Sequence, residues 1–153
     1  MNKFDNKVVL VTGASRGIGT YISHTLAAKG CHVFLAARDE DRLCQLQQGI
    51  QENGGNATVL PMDLSKIGPI STIIDAQADK GIRFDFLINN AGIEHYCEYH
   101  NIPDQLLLKM INVNLHAPME LSRLLLPYMI ENGGHIVNIA SLAGKKGISY
   151  NSI

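Results

Sequence analysis

Apolar residues along this chain alternate between two rhythms. Short runs at Val8-Val9-Leu10-Val11, His32 to Ala37, Ala57 to Leu60, Phe86-Leu87-Ile88 and His135 to Ala140 are separated by stretches where apolar positions recur every three or four residues. A short, nearly continuous apolar run is what a strand buried on both faces requires. After the first run, Ile18, Ile22 and Leu26 stand at i, i+4 and i+8, predicting a helix with that stripe against a sheet. Asp39 is placed to cap a second helix, with Leu43, Leu46 and Ile50 inward and Asn53-Gly54-Gly55 as its stop. A third helix is predicted from Pro69 to Lys80, with Ile70, Ile73 and Ile74 inward. A long helical stretch from Pro103 to Glu131 is predicted to be interrupted near Pro118 and bent near Pro127, where proline removes a backbone donor. Strands alternating with helices of this length predict an α/β fold, a doubly wound parallel sheet with helices on both faces and right-handed crossovers.

The first strand runs directly into Thr12-Gly13-Ala14-Ser15-Arg16-Gly17-Ile18-Gly19, and the first helix follows. Strand, glycine turn and helix together turn a glycine pattern into a phosphate cradle. Gly13 allows a tight turn off the strand, Gly17 lets a pyrophosphate approach the backbone, and Gly19 lets the helix pack close to the sheet. The helix start offers unpaired N–H groups and a positive dipole end.

Composition narrows the classes of function. The 153 residues make one domain, with 46% hydrophobic and 18% charged residues. A net charge of −1 gives no electrostatic case for nucleic acid or an anionic membrane. No apolar run reaches membrane-spanning length, and the first residues lack the apolar core of a signal peptide. Cys31, Cys44 and Cys97 have no zinc-type spacing, so reduced thiols and a cytoplasmic location are expected. His95, Cys97 and His100 in the polar loop after the fourth strand match no known ligand set, and no metal is expected there.

Further motifs stand in fixed order along the chain. The glycine turn is followed by Asn89-Asn90-Ala91-Gly92, by Asn114 within Val113-Asn114-Leu115, and by Ser141 within Asn138-Ile139-Ala140-Ser141-Leu142-Ala143-Gly144. In order and spacing these resemble the short-chain dehydrogenase/reductase family over essentially the whole chain. The resemblance implies a Rossmann-type sheet. Five strands in the order 3-2-1-4-5 are expected here, with the family's last helices and strands absent. It implies a nicotinamide dinucleotide across the strand C-termini and a catalytic tetrad of Asn, Ser, Tyr and Lys. Asn114 and Ser141 match the first two positions. In the family the Tyr follows the Ser by about thirteen residues, just past Ile153, and Tyr150, nine residues after Ser141, is read as a loop residue.

The same resemblance assigns roles. The Tyr hydroxyl supplies the proton, Ser141 steadies the carbonyl oxygen, and Asn114 interrupts a helix and holds a water in the proton path. The cofactor cleft is expected to use Gly13, Ser15, Arg16, Gly17, Ile18, Gly19, Arg38, Asp63, Leu64, Asn90, Ala91 and Gly92. Asp63 is expected at the adenine amine or, alternatively, in a turn before Ser65. Asn90 is placed under the adenosine ribose, and Asn89 ties backbone groups between strands. At the end of the second strand, where a carboxylate would select NAD(H), stand Ala37 and Arg38; with Arg16 this predicts NADP(H) over NAD(H). The expected function is hydride transfer between NADP(H) and a small-molecule carbonyl or alcohol. The alternative is a truncated, non-catalytic NADP(H)-binding protein. The loop from Glu94 to His100 is either solvated or a substrate wall. Leu121, Leu124, Leu125, Met129 and Ile130 spread over more of their helix than one sheet-facing stripe needs, and the resemblance implies a homo-oligomer for the full-length form.

Overall fold

The computed structural model describes residues 3–147 and 149–150. Strands β1 (Val8–Thr12), β2 (His32–Ala37), β3 (Asn56–Pro61), β4 (Phe86–Asn89) and β5 (His135–Asn138) form one parallel sheet in the order β3-β2-β1-β4-β5. The helices are α1 (Gly17–Ala28), α2 (Glu40–Glu52), α3 (Gly68–Asp79), α4 (Asp104–Ile111) and α5 (Ala117–Asn132). The predicted fold class, strand set and strand order are all present.

Period-two alternation explains why the strands read as unbroken apolar runs. Leu10, Phe34, Ala36 and Leu87 point to one face and meet Ile70 and Ile74 of α3 and Leu121, Leu125 and Met129 of α5. Their neighbours Val9, Val11, Val33, Leu35 and Ile88 point to the other face and meet Ala27 of α1 and Leu43, Leu46 and Ile50 of α2. The central strands β1 and β2 are therefore covered twice, whereas β5 lies at the sheet edge with Val137 43% exposed.

Two helix expectations need correction. The stripe Ile18, Ile22 and Leu26 does not face the sheet squarely: Ile18 is 60% exposed, and the buried positions of α1 are Gly19, Ser23 and Ala27. Small residues occupy that face because the helix lies too close to the strands for branched ones, and the Ser23 hydroxyl donates back to the Gly19 carbonyl at 2.8 Å. The long stretch after Pro103 is interrupted at Asn114, as the resemblance implies, and not by Pro118 itself. A π-turn at Asn112–His116 separates α4 from α5, and the Ala117 N–H donates to the Asn112 carbonyl five residues back. Pro118 sits in the first turn of α5, where a missing N–H is tolerated. Pro127 lies inside α5, which continues to Asn132.

Asp85, just ahead of β4, locks the corner opposite the glycine turn. Its Oδ1 accepts from Lys7 Nζ at 2.7 Å and its Oδ2 from the Val8 N–H at 2.9 Å, with the carboxylate side chain 13% exposed. Its main chain accepts from the His135 N–H at 3.1 Å and donates to the Val8 carbonyl at 2.8 Å, so one residue joins the starts of β1, β4 and β5. On the neighbouring strands, His32 Nε2 shares a hydrogen bond of 2.8 Å with Thr58 Oγ1 and stacks at 4.8 Å on Phe34. Burial holds this imidazole below the usual histidine range.

Asp85→Ala is expected to lower the unfolding free energy by about 2 kcal/mol, because a partly buried backbone donor and an ammonium lose their acceptor. Urea titration followed by circular dichroism measures this, and a loss near zero would show that the ladder alone holds the corner. For His32, the folded pKa lies below the unfolded value of about 6.5. The unfolded chain therefore binds more protons at acidic pH, and stability present at neutral pH declines as pH falls through that value. His32→Gln should flatten this part of the stability profile between about pH 7 and 5; parallel profiles for the two proteins would refute the assignment.

Candidate functional site

The carboxyl ends of β1, β2 and β4 open onto the glycine turn, and a hydrogen-bond knot fixes its shape. Thr12 is 1% exposed, and its Oγ1 donates to the Ile88 carbonyl at 3.2 Å while accepting from the Asn90 N–H at 3.0 Å and the Ala91 N–H at 3.1 Å. Asn90 Nδ2 donates to the carbonyls of Thr12 at 2.9 Å and Gly13 at 3.2 Å. The end of β4 is thereby tied to the end of β1. A Cβ on Gly19 would collide with the Gly13 carbonyl and come within 2.7 Å of Asn90 Nδ2, so the start of α1 can reach this knot only as glycine. Gly17 is different: its φ is +57° and a Cβ there would meet no atom within 4 Å. Its backbone borders open space, as a cradle for a phosphate requires.

Around that space lies a cavity of about 680 Å³. Gly13, Ser15, Arg16, Gly17 and Ile18 line it from the turn, Arg38 from the end of β2, Asp63 and Leu64 from beyond β3, and Asn90, Ala91 and Gly92 from beyond β4. Gly19, expected among the cofactor-binding residues, does not line it; it is buried against Gly13 and Asn90 and acts by packing. Exposed Ile18 becomes part of the cavity wall.

The polar groups there have definite duties. Asp63 Oδ1 accepts from the Ser65 N–H at 3.1 Å and the Ser65 hydroxyl at 2.7 Å, the geometry of a turn residue that also lines the cavity. Partial burial pushes its carboxyl upward, but the Ser65 hydrogen bonds and the charges of Arg38 and Lys66 outweigh burial and hold it below the usual aspartate range. Asn90 spends its amide on the glycine turn. Asn89 bonds a side chain and not the backbone: its Nδ2 donates to Asn138 Oδ1 at 2.8 Å, while its own buried Oδ1 has no partner among the described residues. Main chain joins these strands one step further on, where the Ile139 N–H donates to the Asn89 carbonyl at 2.9 Å. Asp39 caps α2 as predicted, accepting the Arg42 N–H at 3.1 Å.

A second cavity, about 840 Å³, continues from the first, and Arg16, Ala91, Gly92 and Ile93 line both. Ser141 and Asn114 stand in its wall. Ser141 Oγ accepts the Ala143 N–H at 3.2 Å and starts a short 3-10 turn at Leu142–Gly144. Asn114 lies in the π-turn, its Oδ1 accepting from the Ile93 N–H at 2.9 Å and its Nδ2 donating to the Ile93 carbonyl at 2.8 Å. Of the loop from Glu94 to His100, only Glu94 lines this space. Tyr150 lines neither cavity; it is 63% exposed, with φ at +63° and its carbonyl accepting the Cys97 N–H at 2.9 Å.

Several residues of this lining carry little signal in the sequence. Arg42 and Lys109 also line the first cavity, as do Met62, Ile93 and Val113. Arg42 carried a usable signal, its i,i+3 spacing from a capping Asp. Lys109 carried none, since its direction depends on where the π-turn sets α4. Among the described residues no group of His, Cys, Asp and Glu gathers as a metal site, and no helix is long and apolar enough to cross a membrane.

Comparison with known proteins agrees with this geometry. A ketoacyl reductase from a Nostoc species is 43% identical over 154 residues, spanning 100% of this chain and 54% of that protein. The crystal structure of a metagenomic short-chain oxidoreductase in complex with NADP aligns with a TM-score of 0.92 at 37% identity, over 97% of this chain and 69% of that one. A 3-oxoacyl-[acyl-carrier protein] reductase from Brucella melitensis with bound NAD aligns with a TM-score of 0.87 at 28% identity, over 96% and 58%. The chain spans about half the length of the curated relatives it matches. The short chain dehydrogenase family profile matches residues 7–153, the same span that carries the glycine turn, the Asn-Asn-Ala-Gly end of β4, Asn114 and Ser141, and the chain belongs to that family.

Proposed function

We propose that this chain forms the nucleotide-binding part of an NADP(H)-dependent oxidoreductase that moves a hydride between the nicotinamide and a carbonyl or alcohol substrate. The observation that carries the reading is the continuous cleft. One end has an open glycine backbone beside Arg16 and Arg38, and the other end has Ser141 and Asn114. A nicotinamide dinucleotide is long enough to need both ends, and the chemistry of the donor set suits it. When bound, NADP(H) supplies or accepts the hydride.

The chain's own residues do the rest. The backbone at Gly17 and the start of α1 receive the pyrophosphate without a side chain in the way. Arg38 and Arg16 offer guanidinium forks to a 2′-phosphate, and no carboxylate occupies the last position of β2. Named neighbours carry NADP in one case and NAD in the other, so the preference for NADP(H) rests on this charge pattern. Ser141 Oγ already accepts from Ala143, which leaves its own O–H to donate to a substrate oxygen. Asn114 spends its amide on Ile93, so a role in carrying protons falls to its main-chain carbonyl. The α-helical donor to that carbonyl would be the N–H that Pro118 lacks. Two of the similar reductases are named for ketoacyl or 3-oxoacyl groups, which supports a carbonyl substrate. Leu108, Ile111, Leu115, Met119, Leu126 and Ile130 stand exposed along α4, the π-turn and α5, and this apolar stripe supports a homo-oligomer.

Fluorescence titration should give a smaller Kd for NADPH than for NADH by about tenfold or more, the worth of one charge-assisted contact; equal or reversed constants would defeat the cofactor assignment. With the gene product that contains this chain, NADPH oxidation at 340 nm over a panel of β-ketoacyl thioesters and simple ketones reads the reaction. Ser141→Ala is expected to reduce turnover by about a hundredfold while leaving the NADPH Kd unchanged. Full turnover in that variant would remove Ser141 from the chemistry.

A further inference from the structure

Asp39 directly follows Arg38 at the exit of β2 and lines the first cavity. A free carboxylate there would accept ribose hydroxyls and repel a 2′-phosphate. It is not free. Its Oδ1 accepts the Arg42 main-chain N–H at 3.1 Å and its Oδ2 lies 3.2 Å from Arg42 Nε. Both oxygens are thus turned to the first turn of α2 by one residue, and that residue lines the same cavity. A guanidinium carries five N–H donors, so a single carboxylate oxygen leaves most of them unused. The pair is half exposed, at 57% and 48%, and such i,i+3 ion pairs are weak. A dianionic phosphate arriving beside it takes up those unused donors while Nε stays with Asp39.

We propose that Arg42 is a specificity-determining residue: it masks the Asp39 carboxylate and serves, with Arg38 and Arg16, as a third guanidinium for the 2′-phosphate. This rests on reading the cavity as an NADP(H) cleft. The helix cap is the means. Because Asp39 must hold the Arg42 N–H to start α2, Arg42 is delivered to the cavity rim by the backbone itself. The same carboxylate therefore does opposite things depending on position 42. With Arg42 present it is a neutralised cap, and without Arg42 it is an exposed acid at the ribose.

The test is a set of NADPH and NADH titrations on the purified protein and on Arg42→Ala, Arg42→Lys, Asp39→Ser and the double variant Asp39→Ser/Arg42→Ala. Serine keeps a cap at position 39 without the charge. Arg42→Ala should weaken NADPH roughly tenfold and leave NADH unchanged or tighter, collapsing the ratio of the two constants. Arg42→Lys should fall between, since it keeps the charge and loses the fork. Asp39→Ser alone should leave NADH binding unchanged, because the carboxylate is already engaged. In the double variant any NADH gained by Arg42→Ala should disappear. An unchanged NADPH-to-NADH ratio in Arg42→Ala, with the parent protein binding NADPH, overturns this inference and leaves the cleft standing. A parent protein that binds neither dinucleotide overturns the cleft and this inference together. Circular dichroism of each variant separates loss of binding from loss of fold.

Discussion

The architecture of the site depends on how near the first turn of α1 can come to the backbone of Gly13. That distance is set by a missing side chain at Gly19 and held by Thr12 and Asn90, which join the ends of β1 and β4 from inside the sheet. If α1 stood further off, the open space before Gly17 would no longer border the strand ends, and Arg16 would not reach both cavities. A buried threonine with three hydrogen bonds and an asparagine whose amide nitrogen holds two carbonyls of the glycine turn fix the shape of this surface.

The two-sided sheet supplies the rigidity behind that knot. Each central strand sends alternate side chains into two separate cores, so neither face can shift without disturbing the other. At the far end, Asp85 closes the corner where β1, β4 and β5 begin. The cleft is consequently built between a fixed floor and loops that rise from it. Within those loops charge is arranged in short local pairs, Asp63 with Ser65 and Lys66, Asp39 with Arg42. Such local pairing takes up part of the charge of the carboxylates that line the cavity.

Much of this was legible in the sequence, for physical reasons. Strands buried on both faces must be apolar throughout, and glycines at a close approach cannot be replaced, so the alternation of strands and helices, the glycine turn and the cap at Asp39 follow from residue types, whereas the sheet order and most of the cavity lining follow from the family resemblance. The failures have physical reasons too. Ile18 reads as a core position because periodicity reports a helix face but not the distance to what it faces. Asn89 was given to the backbone, yet its partner is Asn138, almost fifty residues away, a contact visible only once β4 and β5 are side by side. Proline marks the break before α5 only to within a few residues, while the family resemblance puts it at Asn114, inside the turn where the hydrogen-bond slip occurs. Lys109 joined the cavity only as a result of that slip.

That slip has a wider implication. A π-turn stores one residue more than an α-helix would over the same rise, and each residue advances a helix by about 100°. Closing the ladder between Asn112 and His116 as ordinary α-helix with every residue kept would swing α4 by that angle about its axis. Met110, now fully buried, would rotate out toward water, and Lys109 would leave the cavity wall. The wide turn therefore decides which face of α4 meets the core: a one-codon deletion that removes the surplus residue would leave that facing intact, whereas closing the turn with all its residues would disconnect the cleft from the core beneath it.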